Sequence, residues 1–385
     1  MLIEVADNMK YINIDNVDLD KRLPKIDFNL DDGAYELACS VFNNCNLHCK
    51  FCFQDHSSLK RFDQIRSEMK TIPDILIKFL QDESKKYTIN KVHFKMWGGE
   101  LFYDAIPDDF FDSYYQIYKR LVDSGIAEMH PTWLTNLTYK KTSRVYELVK
   151  ATNGNLCVSF DPIDRFSTPE EEQLFTKNLK EFSRKDIDKS FSITLARKAI
   201  NKYIHSSWND SLKYRTDISY YTPGANWKED IPDDEDMYNF FRWTIDHQYY
   251  FIRPAFDILA AFLGYPVKHY CNCAKAAQYQ DGKVFKNCAL RADSSIPQSA
   301  FYKEFTSKVD ETNCAEYKNS LGILKRGCLD CEWYTNCQKP CWVSLIFDGY
   351  KISVCPFKRL YRYLDTFDRK DLEFYYNAYL PLWEE

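Results

Sequence analysis

Three cysteines, Cys45, Cys49 and Cys52, fall within eight residues of the stretch "NNCNLHCKFCFQD". Grouped thiols in a reducing compartment are poor material for disulfides and good ligands for soft metals and iron–sulfur clusters. A cubane of four irons takes one ligand per iron, and thiolates normally supply all four. Three thiolates in one tight loop would leave one iron open to a small molecule that chelates through an amine and a carboxylate. Zinc is the other use of such thiolates, and the spacing alone leaves it open. The chain holds fourteen cysteines in all, and nine of them crowd together later: Cys271, Cys273, Cys288, Cys314, Cys328, Cys331, Cys337, Cys341 and Cys355.

A loop of thiols needs a frame to hold it. "YELACSVF" is a short apolar run that reads as a buried strand and delivers the chain directly into the first cysteine loop. "TIPDILIKFLQDESKKY" has helical spacing, "KVHFKMW" reads as a strand, and "PDDFFDSYYQIYKRLVDSG" as a helix capped by Asp108 or Asp109 and ended near Gly125. The alternation continues with the strand "MHPTWLTNL", the helix "TSRVYELVKAT", the strand "NLCVSFD" and a helix opened by Thr168-Pro169. "SFSITLA" and "LKYRTDISYY" read as further strands, and "DDEDMYNFFRWTIDHQYYF" as a helix. About six strand–helix units in series predict an α/β fold, a parallel sheet with helices outside, either open or a partial barrel. In both, chemistry collects where strands end and loops begin, and the first cysteine loop sits at such an end. The rhythm breaks near residue 223. The expected organisation is an N-terminal extension over 1–35, a partial (β/α)6 barrel over 36–222, a connecting segment over 223–267, a cysteine-dense module over 268–357 and a helical tail over 358–385. Strand-and-turn sequences such as "DGKVFKNC" and "DGYKISVC" predict metal-supporting hairpins in that module.

Composition narrows the setting. The N-terminus lacks the basic start and apolar core of a signal peptide, so a cytoplasmic location is expected. The longest apolar candidate, "FDILAAFLGY", stops far short of the roughly 18 residues that a membrane helix needs. A net charge of -5 gives no general attraction to nucleic acid or anionic lipid. The 16% aromatic share is read as core packing rather than a base-stacking surface.

The C-x3-C-x2-C spacing of Cys45, Cys49 and Cys52 resembles the signature of the radical S-adenosylmethionine (SAM) enzymes, and Phe51 matches the aromatic residue that lies near the adenine in that family. Gly98-Gly99-Glu100, roughly fifty residues on and at the end of the second strand, matches the next family feature. There the glycines would let the backbone approach a ligand and Glu100 would accept from the ammonium of methionine. Thr135-Asn136 resembles a Thr-Asn-Gly turn with Leu137 in place of glycine, and Ser159 with Asp161 resembles a Ser-x-Asp-Gly segment with Pro162 in place of glycine. By the resemblance, Phe51, Gly98, Gly99, Glu100, Asn136, Ser159 and Asp161 touch the cofactor. Strand-end capping is the alternative for the later ones.

Cys328, Cys331, Cys337 and Cys341, spaced C-x2-C-x5-C-x3-C and followed by Cys355, look like the SPASM domain, a C-terminal module that carries two auxiliary 4Fe-4S clusters. One residue more than in the family pattern separates Gly282 from Cys288. The resemblance implies that Cys271, Cys273, Cys288 and Cys341 hold the nearer cluster and Cys328, Cys331, Cys337 and Cys355 the outer one. Cys271 is the weakest member, and without it the nearer cluster would keep an open iron. Cys39, Cys157 and Cys314 are then non-ligands.

What the resemblance implies is an oxygen-sensitive enzyme with three clusters. The first, reduced by a donor such as a flavodoxin or ferredoxin, cleaves SAM to a 5'-deoxyadenosyl radical that takes a hydrogen atom from the substrate. The auxiliary clusters accept the remaining electron. Members modify peptides and mature sulfatases. Peptide maturases often bring an N-terminal leader-binding domain; with about thirty-five residues before the first strand none is expected here, and a separate protein could supply it. Sulfatase maturases place an aspartate directly after the cysteine matching Cys288. Here Ala289 stands there, which speaks against formylglycine chemistry; Asp293 is the nearest acid and a candidate general base, though an exposed loop carboxylate is the better reading of it. Three readings follow: oxidation or crosslinking of a peptide or protein side chain, the same chemistry on a small metabolite or nucleotide, and a non-catalytic iron–sulfur or zinc-binding protein.

Overall fold

The computed structural model describes residues 2–5, 10–13, 33–49, 52, 59–161, 165–185, 187–205, 215–220, 232–265, 276–286, 327–334, 336–337 and 354–383. The chain divides into two compact units, each assembled from separated stretches: Leu30–Ser192 with Cys273–Ser295, and Met1–Asn29 with Ile193–Asn272 and Ile296–Glu385.

The first unit is a mostly parallel sheet with helices in its crossovers, as the alternating sequence predicts. Its strands are β1 (Ala34–Ser40), β2 (Lys91–Trp97), β3 (Glu128–Thr135), β4 (Asn155–Ser159) and β5 (Lys189–Leu195), the last belonging to this unit up to Ser192. They pair in that order, in parallel, with Glu36 opposite His93 and His93 opposite His130. The helices are α1 (Phe62–Met69), α2 (Ile72–Ser84), α3 (Asp109–Asp123), α4 (Thr142–Ala151) and α5 (Pro169–Arg184). A hairpin, Ala276–Gln280 against Lys283–Lys286, closes the β1 edge, its first strand running parallel to β1. Asp281 and Gly282 form its turn with φ of 50° and 79°, the left-handed pair that a two-residue hairpin requires.

The period of two along each strand sorts the faces. Tyr35, Leu37, Val92, Phe94, Met96, Trp133, Leu156 and Val158 are buried, each worth about 1.5–3 kcal/mol of apolar transfer when fully covered. Their neighbours on the opposite face, Glu36, His93, Lys95, His130 and Thr132, are polar and partly exposed. Parallel sheets usually bury both faces in apolar residues, so a polar second face is a departure that suits a site rather than a core.

Among the helices that escape the sequence reading, two are too short to show a period. α1 is eight residues with only Ile65 and Met69 buried, and α6 (Arg197–His205) is nine, both too brief to give a clear helical period.

The second unit holds α6, β6 (Thr216–Tyr220), α7 (Asp234–Asp246), β7 (Ile252–Arg253), α8 (Ala255–Leu263), α9 (Pro356–Leu364) and α10 (Arg369–Tyr379). β6 and β7 pair in parallel, and the unit also contains an N-terminal hairpin of Leu2–Val5 with Lys10–Asn13. The tail, one amphipathic segment in sequence, is two helices. The first ends at Leu364 and Asp368 starts the second, its side chain accepting from Lys370 N as the cap of α10. Phe357 of α9 lies against Phe241 of α7, and Tyr376 of α10 stacks on Tyr265 with ring centroids 4.1 Å apart. No helix among the described residues is long and apolar enough to cross a membrane.

Candidate active site

β1 ends at Ser40 and the chain enters the cysteine loop between two fixed points. At the entrance, Val41 N donates to Trp97 O, Gly99 N to Phe42 O at 2.7 Å, and Glu100 N to Asn44 O at 2.9 Å. At the exit, Asn44 Nδ2 donates to Lys60 O and Lys60 N returns a bond to Asn44 Oδ1. Lys60 Nζ is in turn bridged to Glu68 and to Asp281 of the hairpin turn, 2.7 Å each. The glycines thus have a local reason. A Cβ on Gly99 would lie 2.1 Å from Asn44 O, and one on Gly98 2.9 Å from Phe42 O. The close approach they permit is to the backbone that launches the loop.

Within the loop, Cys52 N donates to Cys49 O at 3.0 Å, a turn that draws these two together, and Leu47 N donates to Cys45 Sγ at 3.4 Å. Asn136, just past β3, donates through Nδ2 to Asn46 Oδ1 at 3.0 Å and reaches Cys45 Sγ at 3.8 Å. Asn46 Nδ2 donates to the carbonyl and hydroxyl of Thr138. Cys49 Sγ donates to the carbonyl of Arg165 at 3.7 Å. The loop is therefore stitched to the chain beyond β3 and to the chain beyond β4.

Burial pushes the Cys45 thiol up to about 12 and the Cys49 thiol up to about 11, the latter partly opposed by Arg165. Half-buried thiols of this kind ionise when a metal centre takes the charge, which is what such ligands do on binding. Among the described residues no three His, Cys, Asp or Glu side chains converge as ligands of a single ion. A cubane asks instead for one thiolate per iron, and three thiols spread around one loop would serve three of its four irons.

Glu100 is 2% exposed. Its carboxylate accepts from Phe102 N, Thr135 Oγ1 and Asn136 N, and burial raises its pKa to about 7 against the pull of these donors. The side chain thus ties the end of β2 to the end of β3. Leu137 occupies the glycine position of the resemblance and adopts the conformation glycine would, φ 57°, with its side chain fully buried. Asn178 of α5 secures that turn by donating to the carbonyls of Leu137 and Tyr139. Ser159 ends β4 opposite Ser192, and Asp161, 2% exposed, is paired with Arg165 at 2.5 Å.

Comparison with solved structures gives the frame its likeness. The chain superposes on native anSMEcpe with bound AdoMet and Cp18Cys peptide at a TM-score of 0.60 and 15% identity, covering 90% of this chain and 99% of that one. A histidine-tagged anSMEcpe with bound AdoMet gives 0.58 and 14% over the same shares. The fold is that of these anSMEcpe structures. No protein-family model and no curated protein matches the chain, and at this identity the likeness speaks for the fold.

Within this fold the structure brings together Cys45, Cys49, Cys52, Gly98, Gly99, Glu100 and Asn136. Sequence reasoning missed Asn44, Asn46, Thr138 and Arg165, none of which stands in a recognisable motif. Phe51, Cys271, Cys273, Cys288, Cys341 and Asp293 lie outside the described residues, as does the expected second hairpin. The hairpin that is described carries its two ends, which lead in sequence to Cys273 and Cys288, to one side: Ala277 pairs with Lys286. In the other unit, Cys328 and Cys331 flank a tight turn, Cys337 N donates to Trp333 O, and Cys355 immediately precedes α9. Trp333 stacks on Tyr361 of α9, which fastens this turn to the helix that Cys355 begins. Cys39 is fully buried, and that burial pushes its thiol pKa up.

Proposed function

We propose that the chain is a radical SAM enzyme that oxidises or crosslinks a side chain of a peptide or protein. The observation that carries this reading is the loop of Cys45, Cys49 and Cys52, set at the C-terminal end of β1 and pinned by Asn136 from just past β3 and by Arg165 from the chain beyond β4. A peptide substrate is supported by the anSMEcpe structure that holds both AdoMet and a peptide.

Clusters bound at the cysteines would supply reductive cleavage of SAM to a 5'-deoxyadenosyl radical and, at the SPASM cysteines, acceptance of the electron left on the substrate. The protein's own part is positioning. Cys45, Cys49 and Cys52 would hold three irons, while Cys328, Cys331, Cys337 and Cys355, with Cys271, Cys273, Cys288 and Cys341, would hold the auxiliary pair. Gly98 and Gly99 set the loop against β2, and Glu100 locks the β2 and β3 ends so that Asn136 faces Cys45. Asn136, Ser159 and Phe51 would contact SAM. Asp161 is committed to Arg165, so any effect on SAM runs through that pair. Asp293 would act as a base. A flavodoxin or ferredoxin would donate electrons, and a separate leader-binding protein would present a peptide.

The test is anaerobic reconstitution, reduction with dithionite and measurement of 5'-deoxyadenosine, beside a variant with Cys45, Cys49 and Cys52 all changed to alanine. The wild type should make it and the variant should not. Product from neither, with zinc bound in place of iron, would overturn the enzyme reading.

A further inference from the structure

We propose that the buried Asp161–Arg165 pair is an electrostatic control on the three-thiol loop, Arg165 being a positioning residue that sets how readily a cluster held there takes up an electron. This rests on the radical SAM reading of the loop and adds a residue that the family motifs quoted above do not include.

Three observations carry it. The Arg165 segment is in direct contact with the loop, since Cys49 Sγ donates to the Arg165 carbonyl at 3.7 Å. The guanidinium is 7% exposed and its partner Asp161 2%, with Nη2 and Oδ2 2.5 Å apart, so this charge is held in place and shielded from solvent screening. It is also electrically close to the site: it opposes the burial that pushes up the Cys49 thiol, it acts on Glu100, and Cys52 lies within its reach. An arginine stays protonated at any working pH, so the charge is permanent.

Reduction adds one negative charge to a cluster and changes no bond to the protein. A fixed cation beside it favours the reduced state, and an anion opposes it. The pair therefore works as two opposed weights. Removing Arg165 uncovers Asp161 and disfavours reduction; removing Asp161 uncovers Arg165 and favours it.

The experiment is a dithionite titration of the anaerobically reconstituted full chain, followed by electron paramagnetic resonance. The relevant signal is the one that changes when SAM is added, which separates this cluster from the auxiliary ones. Iron and sulfide are counted for every sample. Arg165→Gln should lower the ratio of reduced to oxidised cluster at fixed potential by about tenfold, about 59 mV for one electron, and Asp161→Asn should raise it by a similar factor. The double variant Asp161→Asn/Arg165→Gln should return near wild type, and Arg165→Lys should rescue the single loss. A merely structural role would lower iron content without shifts of opposite sign. If Arg165→Gln does not load, the upward shift of Asp161→Asn and its cancellation in the double variant decide the matter. Loaded clusters with no shift, or shifts of one sign, overturn the inference. A wild type that takes up no iron–sulfur cluster overturns the radical SAM reading beneath it.

Discussion

A methyl group at Gly99 would lie 2.1 Å from the Asn44 carbonyl oxygen, and a backbone oxygen cannot swing aside as the end of a flexible side chain can. Gly99→Ala should therefore displace the loop entrance, lowering the urea midpoint by an equivalent of about 1–3 kcal/mol and cutting the iron retained after reconstitution. Gly98→Ala, whose added carbon would meet Phe42 O at 2.9 Å, should do less on both counts. Equal losses would mean that the glycines serve something other than the backbone contact. At Glu100, replacement by glutamine turns an amide toward one of three donors, Phe102 N, Thr135 Oγ1 or Asn136 N, at a cost of about 1–3 kcal/mol in thermal or urea unfolding. The sequence shows these residues as a motif and misses their partners, because Asn44 and Asn136 become neighbours of Glu100 only when β1, β2 and β3 pair. Arg165 was not legible at all. Nothing in "DPIDRF" distinguishes a buried arginine from a surface one until Asp161 and Cys49 are placed beside it.

Elements whose signals are local read well. α5 begins where Thr168-Pro169 says it should, with Thr168 Oγ1 accepting from Glu171 N and Glu171 accepting in return from Thr168 N. Thr168→Ala should cost about 1 kcal/mol, seen as a lower urea midpoint, with the fold otherwise kept. Asn178, further along the same helix, is bonded to two carbonyls of the turn after β3. Asn178→Ala strips both in a buried place, so a larger loss of about 1–3 kcal/mol and faster amide exchange in that turn are expected. The β1 to β5 alternation was legible because one face of each strand is apolar and the other polar. The tail was legible as amphipathic but not as two helices, since amphipathic spacing continues across the break between Leu364 and Arg369.

At the scale of the whole molecule, pH reaches stability through buried acids. Burial raises the pKa of Asp257 in α8 from 3.8 to about 6, with Arg253 pulling it down and Asp217 pushing it up. A carboxyl whose folded pKa is raised contributes its stability fully below about pH 3.8 and loses it as pH climbs through about 6. Asp257→Asn should remove that dependence. Its stability relative to wild type should rise by about 3 kcal/mol between about pH 3.5 and about pH 7.5, read from urea midpoints at each pH. A constant difference across the range would sink the assignment. The hairpin at Ala276–Gln280 bears on how the chain is made. β1, which launches the thiol loop, has its outer edge covered by a strand that leaves the ribosome roughly 240 residues later. At about 5–20 residues per second that is about 10–50 s of synthesis during which the edge of β1 stands open to other chains. A nascent chain stalled short of residue 276 should therefore be prone to aggregate, and iron delivered before release would reach a thiol loop that Lys60 has not yet tied to Asp281.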